Sequence, residues 1–411
     1  MSTDIDVVIV GGGAAGIGAA RRVAQNGVSS VLLEASARLG GRAWTHEVSG
    51  LALDLGCSWL HSADRNAWTG IAKAAGIPID RRIGAWGIQY GDLGFTPADQ
   101  AKAKEAFATW IQRLGTTPPP SDSAADALAS DGEWNSYVRA IGGFGSGASL
   151  ERLSVADYMA YHVASTGRNW RLPTGYGSLI AGSFPARAAL HLATPVESLE
   201  LGMHGVTVTT PAGIIRARAA ILTVSTAVLA GDSIRLPSDL DSWRHAASLL
   251  PLGRNEKLFL EIVGEGPFAS ETQVFGNPRD ARTGAYYIRP FGWPVIECFL
   301  GGEGARMVED SGPTAGFAYA VEQLGILFGS DVHRTLHPLV ASSWSRMTRL
   351  GGAYSYALPG HVTARDALAR PFEQRLFFAG EATNPNDFST AHGAHDSGVR
   401  AAEQAIAALH S

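Results

Sequence analysis

The sequence predicts an α/β fold, α+β overall, with a parallel sheet that begins within the first ten residues. An apolar strand at residues 6–10 is followed by a glycine-rich turn, a helix of small residues and a second apolar strand at residues 30–33. A further apolar strand at residues 375–379 precedes an alanine-rich helix near the other end of the chain. Since 411 residues are many for one core, we expect two interleaved lobes.

A glycine motif joins the first strand to the first helix. Gly11 allows the tight turn, Gly13 lets the backbone approach a pyrophosphate at the helix N-terminus, and Gly16 lets the helix pack closely on the strand. Ala15 adds a further small residue to the turn. The second strand stops at Glu34, whose carboxylate is expected to accept hydrogen bonds from both ribose hydroxyls. This βαβ unit therefore predicts a dinucleotide site.

A second glycine pair follows Glu34 after a short loop that contains Ala35 and Arg38. Gly41 and Arg42 return the chain to the same phosphates, where the planar fork of arginine donors binds pyrophosphate oxygens. This segment resembles the flavin-containing amine oxidase family, which comprises monoamine oxidases, polyamine oxidases and lysine-specific histone demethylases. In that family the same loop holds the diphosphate of FAD.

The far end of the chain carries a second resemblance to this family. The strand at residues 375–379 ends at Gly380 and Glu381, similar to the family's second FAD-contacting motif. A helix is predicted to begin near Thr390 and Ala391, with its free amides and positive dipole end directed at whatever precedes it. The resemblance implies that this helix end faces the pyrimidine edge of the flavin.

Shorter segments between the two ends also resemble the family. They are Gly56, Cys57, Ser58 and Trp59 beside the flavin ring, Val196 against the adenine, and Trp344 with Tyr354 at the substrate wall. Residues 80–170 and 262–335 are largely unmatched. The resemblance implies a Rossmann-like FAD-binding domain of the glutathione-reductase type. A substrate-binding domain built on a mixed sheet and helices is interleaved with it.

These segments predict a discontinuous domain organisation. The FAD-binding domain is predicted to take residues 1–79, 171–249 and 351–411, and the substrate-binding domain residues 80–170 and 250–350. Residues 205–218 alternate around a Pro-Ala-Gly turn and predict a hairpin. Residues 154–164 predict a helix, and residues 118–130, rich in Pro, Ser, Ala and Asp, predict an exposed loop.

Lys257 is the residue whose two interpretations differ most. In the strand predicted around it, Leu258, Leu260 and Ile262 lie on one face and Lys257 on the other. Periodicity alone therefore places this lysine on the solvent side of a half-buried strand. The resemblance implies instead that its ammonium binds a water at flavin N5 and assists reoxidation by oxygen.

The other candidate catalytic residues are aromatic or polar. Tyr354 matches the first of two tyrosines that flank the substrate amine in monoamine oxidases, and Thr390 stands at the second position. Trp59 and His61 come from the segment beside the flavin, and His61 is either a substrate contact or a surface histidine. Ala353 occupies the place of the family's covalent flavin cysteine, so FAD is expected to bind non-covalently.

The resemblance implies an FAD-dependent amine oxidase. An apolar pocket lowers the pKa of the substrate ammonium, and the neutral amine then transfers a hydride to flavin N5 and becomes an imine. Hydrolysis of the imine yields an aldehyde or ketone, and O2 reoxidises the flavin with release of hydrogen peroxide. Two alternatives are an FAD-dependent desaturase or oxidase of the carotenoid or porphyrinogen type, and a flavin-bound interaction module without turnover.

The sequence leaves the amine itself open. A polyamine would need carboxylates for its distal ammonium groups, and an amino acid would need an arginine for its carboxylate. The candidates for these two roles are the acids Asp131, Glu133, Glu151, Asp157 and Glu297, and the arginines Arg254 and Arg289.

Composition restricts the partners and the setting. A formal net charge of −5 without a basic run argues against a nucleic-acid surface. Two cysteines, Cys57 and Cys298, cannot build a disulfide framework or a cysteine-rich metal site. No apolar stretch approaches the ~20 residues that span a bilayer. We expect a cytoplasmic protein without a membrane partner or a metal, with a small amine and O2 as reactants, and with a homodimer among its oligomeric states.

Overall fold

The computed structural model describes residues 5–203 and 205–410. Its strands are β1 (Ile5–Val10), β2 (Ser30–Leu33), β3 (Thr45–Val48), β4 (Leu51–Asp54), β5 (Trp59–Leu60), β6 (Trp170–Arg171), β7 (Ala189–His191), β8 (Ser198–Gly202), β9 (Gly205–Thr210), β10 (Gly213–Leu222), β11 (Asn255–Ile262), β12 (Thr272–Phe275), β13 (Ala285–Ile288), β14 (Val295–Gly301), β15 (Leu336–Ala341) and β16 (Leu376–Phe378).

The α-helices lie between these strands. They are α1 (Ala14–Gln25), α2 (Ala67–Ala74), α3 (Pro97–Thr116), α4 (Asn135–Ser146), α5 (Val155–Ala164), α6 (Tyr176–Gly182), α7 (Thr226–Ala230), α8 (Asp241–Ser248), α9 (Glu303–Ser311), α10 (Pro313–Phe328), α11 (Val332–Thr335), α12 (Ala364–Ala369) and α13 (Ala391–Leu409). Short 3-10 helices cover Tyr90–Asp92, Ala124–Ala127, Leu150–Arg152, Ser238–Leu240, Pro290–Gly292 and Glu381–Thr383.

A seven-stranded sheet contains the predicted βαβ unit. Its order is β7-β2-β1-β10-β9-β8, and β16 also pairs with β10. Strands β1, β2, β7, the second half of β10 and β16 run parallel, whereas β8, β9 and the first half of β10 form antiparallel pairs. Since β1 and β2 are parallel, their carboxyl ends at Val10 and Leu33 lie at the same edge, which is where such sheets bind ligands.

A five-stranded antiparallel sheet, in the order β12-β13-β14-β11-β15, forms the second layer of strands. On one face of β11, Leu258, Leu260 and Ile262 enter a hydrophobic core with α9 and α10. On the other face, Lys257 and Phe259 line a cavity. Alternation along β11 was therefore predicted correctly, but the solvent position that periodicity alone gave to Lys257 is wrong, because the second face is covered by the rest of the protein.

Helices α1 and α13 pack on each other and bring the two ends of the chain together. Close approach requires small residues on both helices. A Cβ at Gly398 would overlap the backbone of Ala15, a Cβ at Gly18 would lie 2.7 Å from the carbonyl oxygen of His395, and a Cβ at Gly16 would overlap the carbonyl oxygen of Gly11. This packing places the start of α13 next to the glycine motif.

The structure confirms several local predictions and corrects one. The hairpin of β9 and β10 and the helix α5, whose N-cap Ser154 accepts a hydrogen bond from the amide of Asp157, are as predicted. Residues 118–130 are not exposed throughout, because Ala124 and Ala127 are buried under α3.

The seven-stranded sheet draws its strands from the three predicted FAD-binding segments, and the five-stranded sheet draws its strands from residues 250–350. The domain limits themselves stay a prediction.

A buried ion pair ties α5 to the segments that border the cavity. Arg365 and Asp157 are 1% and 0% exposed, and they form two hydrogen bonds of 2.6 and 2.8 Å. The second Asp157 oxygen also accepts the amide of Ala357, while Arg365 donates to the Ser355 hydroxyl. Asp157 therefore serves the fold and is not free to bind a substrate ammonium.

We expect Asp157→Ala to lower the free energy of unfolding by about 3–5 kcal/mol, because it leaves the Arg365 guanidinium buried without its partner. Urea unfolding followed by circular dichroism measures the loss. The double variant Asp157→Leu with Arg365→Met removes both charges and should recover part of the stability. If the double variant were as unstable as the sum of the single variants, the two side chains would not be coupled.

Candidate active site

A cavity of about 1060 Å³ extends from the carboxyl ends of β1 and β2 to the inner face of the five-stranded sheet. Gly11, Gly13, Glu34 and Arg42 line one part of it, and Lys257 with a set of aromatic side chains lines another. Both ends of the chain contribute, since Gly380, Glu381 and residues 389–391 also line the wall. The structure thus brings together residues that the sequence spreads over the whole chain.

The glycine motif leaves free space toward the cavity. A Cβ built on Gly13 would meet no protein atom closer than 3.9 Å, and the same distance holds for Gly380. Gly13 is the N-cap of α1 and has no side chain to satisfy the first-turn amides. The Glu34 carboxylate, nearby and buried, accepts hydrogen bonds from the amides of Gly12 (2.6 Å) and Ser36 (2.7 Å). Ala15 and Ala35 complete this wall.

Arg42 is held by the opposite end of the chain. Its Nη1 lies 2.9 Å from Oε1 of Glu381 and donates to the carbonyl oxygen of Ala353. The same side chain lines the cavity and keeps a quarter of its surface exposed. Gly41, with φ +58°, packs against the backbone of Gly13 and brings the two glycine turns into contact. Arg42 therefore presents a positive charge beside the glycine motif.

Glu381 is a buried carboxylate with several donors. Its Oε1 accepts from Arg42 and from the amide of Ser355 (3.0 Å), and its Oε2 accepts from the Ser355 hydroxyl (2.7 Å) and the amide of Ser389 (2.8 Å). Burial alone would raise the pKa of this carboxyl, but Arg42, Arg365 and the hydrogen bonds hold it below its usual value. Glu381 is therefore ionised and joins three segments of the cavity wall.

Two residues predicted to bind the cofactor do not line the cavity. Arg38 stacks 4.3 Å above Trp44 and donates to the carbonyl oxygen of Gly41 (2.9 Å), so it supports the second glycine turn from behind. Gly16 lies at the contact between α1 and the end of β1. The other predicted cofactor residues on the wall are Gly56, Cys57, Ser58, Trp59, Val196, Trp344, Thr390 and Ala391.

Lys257 lies inside the cavity with its charge paired. Its Nζ is 2.9 Å from Oε1 of Glu297 on the neighbouring strand β14, 2.7 Å from the Ser58 hydroxyl and 3.2 Å from the carbonyl oxygen of Asp54. The lysine side chain is 9% exposed. Since an ammonium has three N–H donors, these three acceptors fully determine where it points.

The segment that receives Lys257 is itself fixed by a buried acid. The Asp54 carboxylate accepts from the Thr45 hydroxyl and from the amides of Tyr176 and Gly177 at the start of α6. Burial raises the pKa of Asp54 to about 6, although these donors and Lys257 oppose the rise. Burial and the Asp54 charge raise the pKa of the Cys57 thiol to about 12, so this thiol stays protonated.

Aromatic side chains form much of the remaining wall. Trp59 and Trp86 have ring centroids 4.0 Å apart, and Phe144 contacts both Phe275 and Phe299. Further rings on this wall belong to Tyr161, Tyr287, Phe291 and Trp293. Arg171 lies behind Trp59, with its guanidinium 5.0 Å from the ring centroid. The resulting surface is largely apolar.

The remaining predicted catalytic residues also reach the cavity. The His61 Nδ1 is 2.8 Å from Oδ1 of Asn169, and burial lowers the pKa of this imidazole to about 4 despite that hydrogen bond. The Tyr354 hydroxyl donates to the carbonyl oxygen of Phe144 (2.7 Å), and burial raises its pKa. Thr390 caps α13 by accepting the amide of Gly393. At neutral pH His61 and Tyr354 are therefore uncharged.

This arrangement fits a flavin dinucleotide. The free volume over Gly13 and Gly380 admits a ligand backbone, the start of α1 and the Arg42 guanidinium suit a pyrophosphate, and Glu34 suits hydroxyl donors. At Thr390 and Ala391, the start of α13 provides backbone amides and the positive end of the helix dipole to the cavity wall.

Comparison with known proteins decides the family. The family model "Flavin containing amine oxidoreductase" matches residues 87–406, and an "NAD(P)-binding Rossmann-like domain" model matches residues 9–74. The chain belongs to the flavin-containing amine oxidoreductases. It is an FAD-dependent enzyme with the fold predicted from its sequence. The family match favours amine oxidation over the desaturase and non-enzymatic alternatives.

Individual relatives cover nearly the whole chain. Polyamine oxidase 4 of Oryza sativa subsp. japonica is 27% identical over 97% of this chain and 88% of its own length. A pseudooxynicotine dehydrogenase of a Pseudomonas species is 25% identical over 92% and 82%. A solved structure of a putrescine oxidase double mutant superimposes with a TM-score of 0.76 at 17% identity, over 98% of this chain and 99% of that one. The last similarity concerns the fold alone.

Most aromatic cavity residues that sequence reasoning missed come from its unmatched segments. Trp86, Phe144 and Tyr161 belong to residues 80–170, and Phe275 and Tyr287 to residues 262–335. Their spacing gives no common signal, because each comes from a different element. Trp293 packs on a small core cluster and also lines the cavity.

Two kinds of feature are absent from residues 5–203 and 205–410. In this part of the chain no helix combines the length and the apolar character needed to cross a membrane. Among the same residues, no group of three or more His, Cys, Asp or Glu side chains is arranged to hold a metal ion.

We expect Arg42→Ala to weaken FAD binding by about 1.5–3 kcal/mol, since it removes charge-assisted hydrogen bonds to the pyrophosphate. Titration of the apoprotein with FAD, followed by flavin fluorescence, measures the change. Arg22→Ala is a matched control, because Arg22 lies on the surface of α1 in an exposed pair with Glu403. Wild-type affinity in Arg42→Ala would remove this residue from the pyrophosphate site.

Proposed function

We propose that this enzyme oxidises a C–N bond of an amine to an imine, which water then hydrolyses to an aldehyde or ketone, with O2 as the electron acceptor and hydrogen peroxide as product. The observation that carries the proposal is one cavity that joins the nucleotide-binding wall to Lys257 and an aromatic wall. Bound FAD would supply hydride acceptance and reaction with O2. The polyamine oxidase relatives support an amine as the donor.

The aromatic wall prepares the amine for reaction. Loss of a hydride from the α-carbon needs the nitrogen lone pair, so the substrate must react as the neutral amine. A site of low polarity disfavours the ammonium form and lowers its pKa. Near the same wall, the neutral His61 and the Tyr354 hydroxyl provide hydrogen-bonding groups without adding charge. We assign Trp59, His61, Tyr354 and Thr390 to substrate positioning on this basis.

Lys257 has a different role in this proposal. Its ammonium is held by Glu297, Ser58 and the Asp54 carbonyl, so its position does not depend on the substrate. Reduction of O2 to peroxide creates negative charge, which a fixed positive charge stabilises. We assign Lys257 to this oxidative step through its fixed positive charge. Its three N–H donors are taken by Glu297, Ser58 and the Asp54 carbonyl, which leaves none for the water that the resemblance implied.

A panel of primary, secondary and polyamines tests the proposed reaction. Anaerobic mixing should bleach the flavin absorbance with at least one amine, and admission of O2 should restore the absorbance with release of one peroxide per amine oxidised. His61→Asn and Tyr354→Phe should slow the bleaching step and leave reoxidation near the wild-type rate. Absence of bleaching by every amine in the panel would overturn the proposal.

Lys257→Met should slow reoxidation by O2 because the fixed positive charge is lost. Its isolated reductive half-reaction should change less. Stopped-flow spectroscopy of the pre-reduced enzyme measures the oxidative step, and Lys73→Met, which alters an exposed lysine of α2, serves as control. A wild-type reoxidation rate in Lys257→Met would disprove the assigned role.

FAD should be held without a covalent bond. The position that corresponds to the family's covalent cysteine is Ala353, whose methyl group offers no nucleophile. Cys57 also lines the cavity, but its raised pKa keeps it an unreactive thiol. Acid precipitation should therefore release the flavin into the supernatant, and flavin that stays with the precipitate would contradict this expectation.

A further inference from the structure

We propose that the substrate is an amine with a single cationic nitrogen on a large apolar, preferably aromatic, body, and that diamines and polyamines are disfavoured. This inference rests on the proposed amine oxidation and specifies its substrate class. It departs from the named substrates of the polyamine oxidase relatives. The proposal is based on the charged side chains of the cavity wall and on the ion-pair and hydrogen-bond partners of each.

A diamine needs a carboxylate for its second ammonium, and the described part of the wall has few. These carboxylates belong to Glu34, Asp54, Glu297 and Glu381. Glu34 lies at the nucleotide end, and Glu381 is engaged by Arg42, Ser355 and Ser389. The Asp54 carboxylate is directed at Thr45 and the start of α6. None of these three acids is left for a distal ammonium.

Glu297 is the remaining acid, and it is already neutralised. Its Oε1 lies 2.9 Å from the Lys257 ammonium, and its side chain is 18% exposed. A substrate ammonium at this carboxylate would have to displace Lys257 or share the acid with it. Displacement would leave the lysine charge without an acid partner in a largely buried position, which is strongly unfavourable.

The other acids considered from the sequence lie outside the cavity wall. Glu133 pairs with Arg279, Glu151 pairs with Arg139, and Asp157 is buried with Arg365. Asp131 is exposed and does not line the cavity. The predictions that Asp131, Glu133, Glu151 or Asp157 binds a distal ammonium are therefore not supported by the geometry.

Positive charge is in fact present on the wall. Lys104 lines the cavity and has no ion-pair partner among residues 5–203 and 205–410. Arg171 also contributes to the lining, but its guanidinium lies behind Trp59 and is paired with Asp80 and Glu271. A second substrate ammonium would therefore meet a positive or neutral surface.

An amino-acid substrate receives no support from the predicted arginines. Arg254 pairs with Glu309, and Arg289 donates to the carbonyl oxygen of Phe268. Neither lines the cavity. The aromatic wall instead matches a flat apolar group, since offset and edge contacts between rings are favourable. The tilted pair of Trp59 and Trp86 and the stacked pair of Phe144 and Phe275 offer such faces.

Three amines of equal chain length test this inference in the FAD-loaded enzyme: 4-phenylbutylamine, butylamine and 1,4-diaminobutane. Anaerobic reduction gives the apparent Kd and limiting rate for each. Analogues with two methyl groups on every amine-bearing carbon, at both ends of the diamine, carry no hydrogen on a reacting carbon, so calorimetry with these analogues measures binding without reaction. We expect the phenyl compound to bind at least roughly tenfold more tightly than butylamine, and the diamine to bind more weakly than butylamine.

A carboxylate added to the wall should reverse the discrimination against the diamine. Gln273 on β12 lines the cavity, is 4% exposed and is similar in size to glutamate. Gln273→Glu should raise the affinity for the diamine relative to butylamine by about tenfold, whereas Gln273→Met, the uncharged control, should not. Circular dichroism verifies that both variants fold.

The outcomes separate this inference from the proposed function. Reduction of the flavin by 1,4-diaminobutane with a lower Kd than by 4-phenylbutylamine would overturn the substrate class and leave amine oxidation standing. Tight binding of the phenyl analogue without flavin reduction by any amine would overturn the proposed function and support the predicted ligand class. An unchanged ratio of diamine to butylamine affinity in folded Gln273→Glu would overturn the charge argument.

Discussion

The geometry of the cavity depends on the ion pair and the hydrogen bonds that the Glu381 carboxylate makes. This carboxylate is buried next to the carboxyl end of β16, and a buried carboxylate is stable only when donors surround it. Those donors come from Arg42 in the N-terminal half and from Ser355 and Ser389 near the C-terminus. Through Ser355 the network reaches Arg365 and Asp157. Segments far apart in sequence thereby acquire one common geometry.

The ion pair of Lys257 and Glu297 applies the same principle on the opposite wall. Adjacent strands β11 and β14 carry the two side chains to the same face, and Ser58 supplies a further acceptor from the nucleotide side. The pair keeps a charged lysine in an apolar cavity at an acceptable energetic cost. The same ion pair occupies the Glu297 carboxylate. Under the proposed function, catalytic positioning and substrate discrimination are therefore linked through one acid.

Most residues that the sequence predicted to contact the cofactor line the cavity, and each segment that carries them is local. The glycine turn, the acid at the end of β2, and the Gly-Glu end of β16 have fixed spacings that follow from strand and helix geometry. The same locality explains why Lys257 remained ambiguous. Alternation along β11 separated its two faces correctly, but no local pattern states whether a face meets solvent or another part of the chain.

The sequence by itself determined the α/β class, the nucleotide-binding turn, the family resemblance and the candidate lysine. Only the tertiary structure decided which acids are neutralised and which rings share a wall. In the sequence, Asp157 and Glu297 could not be told apart from acids that bind a substrate ammonium. The structure pairs Asp157 with Arg365 and Glu297 with Lys257. The physical reason is that charge pairing and cavity shape depend on contacts between residues far apart in the chain, here 40 and 208 positions, which local periodicity does not encode.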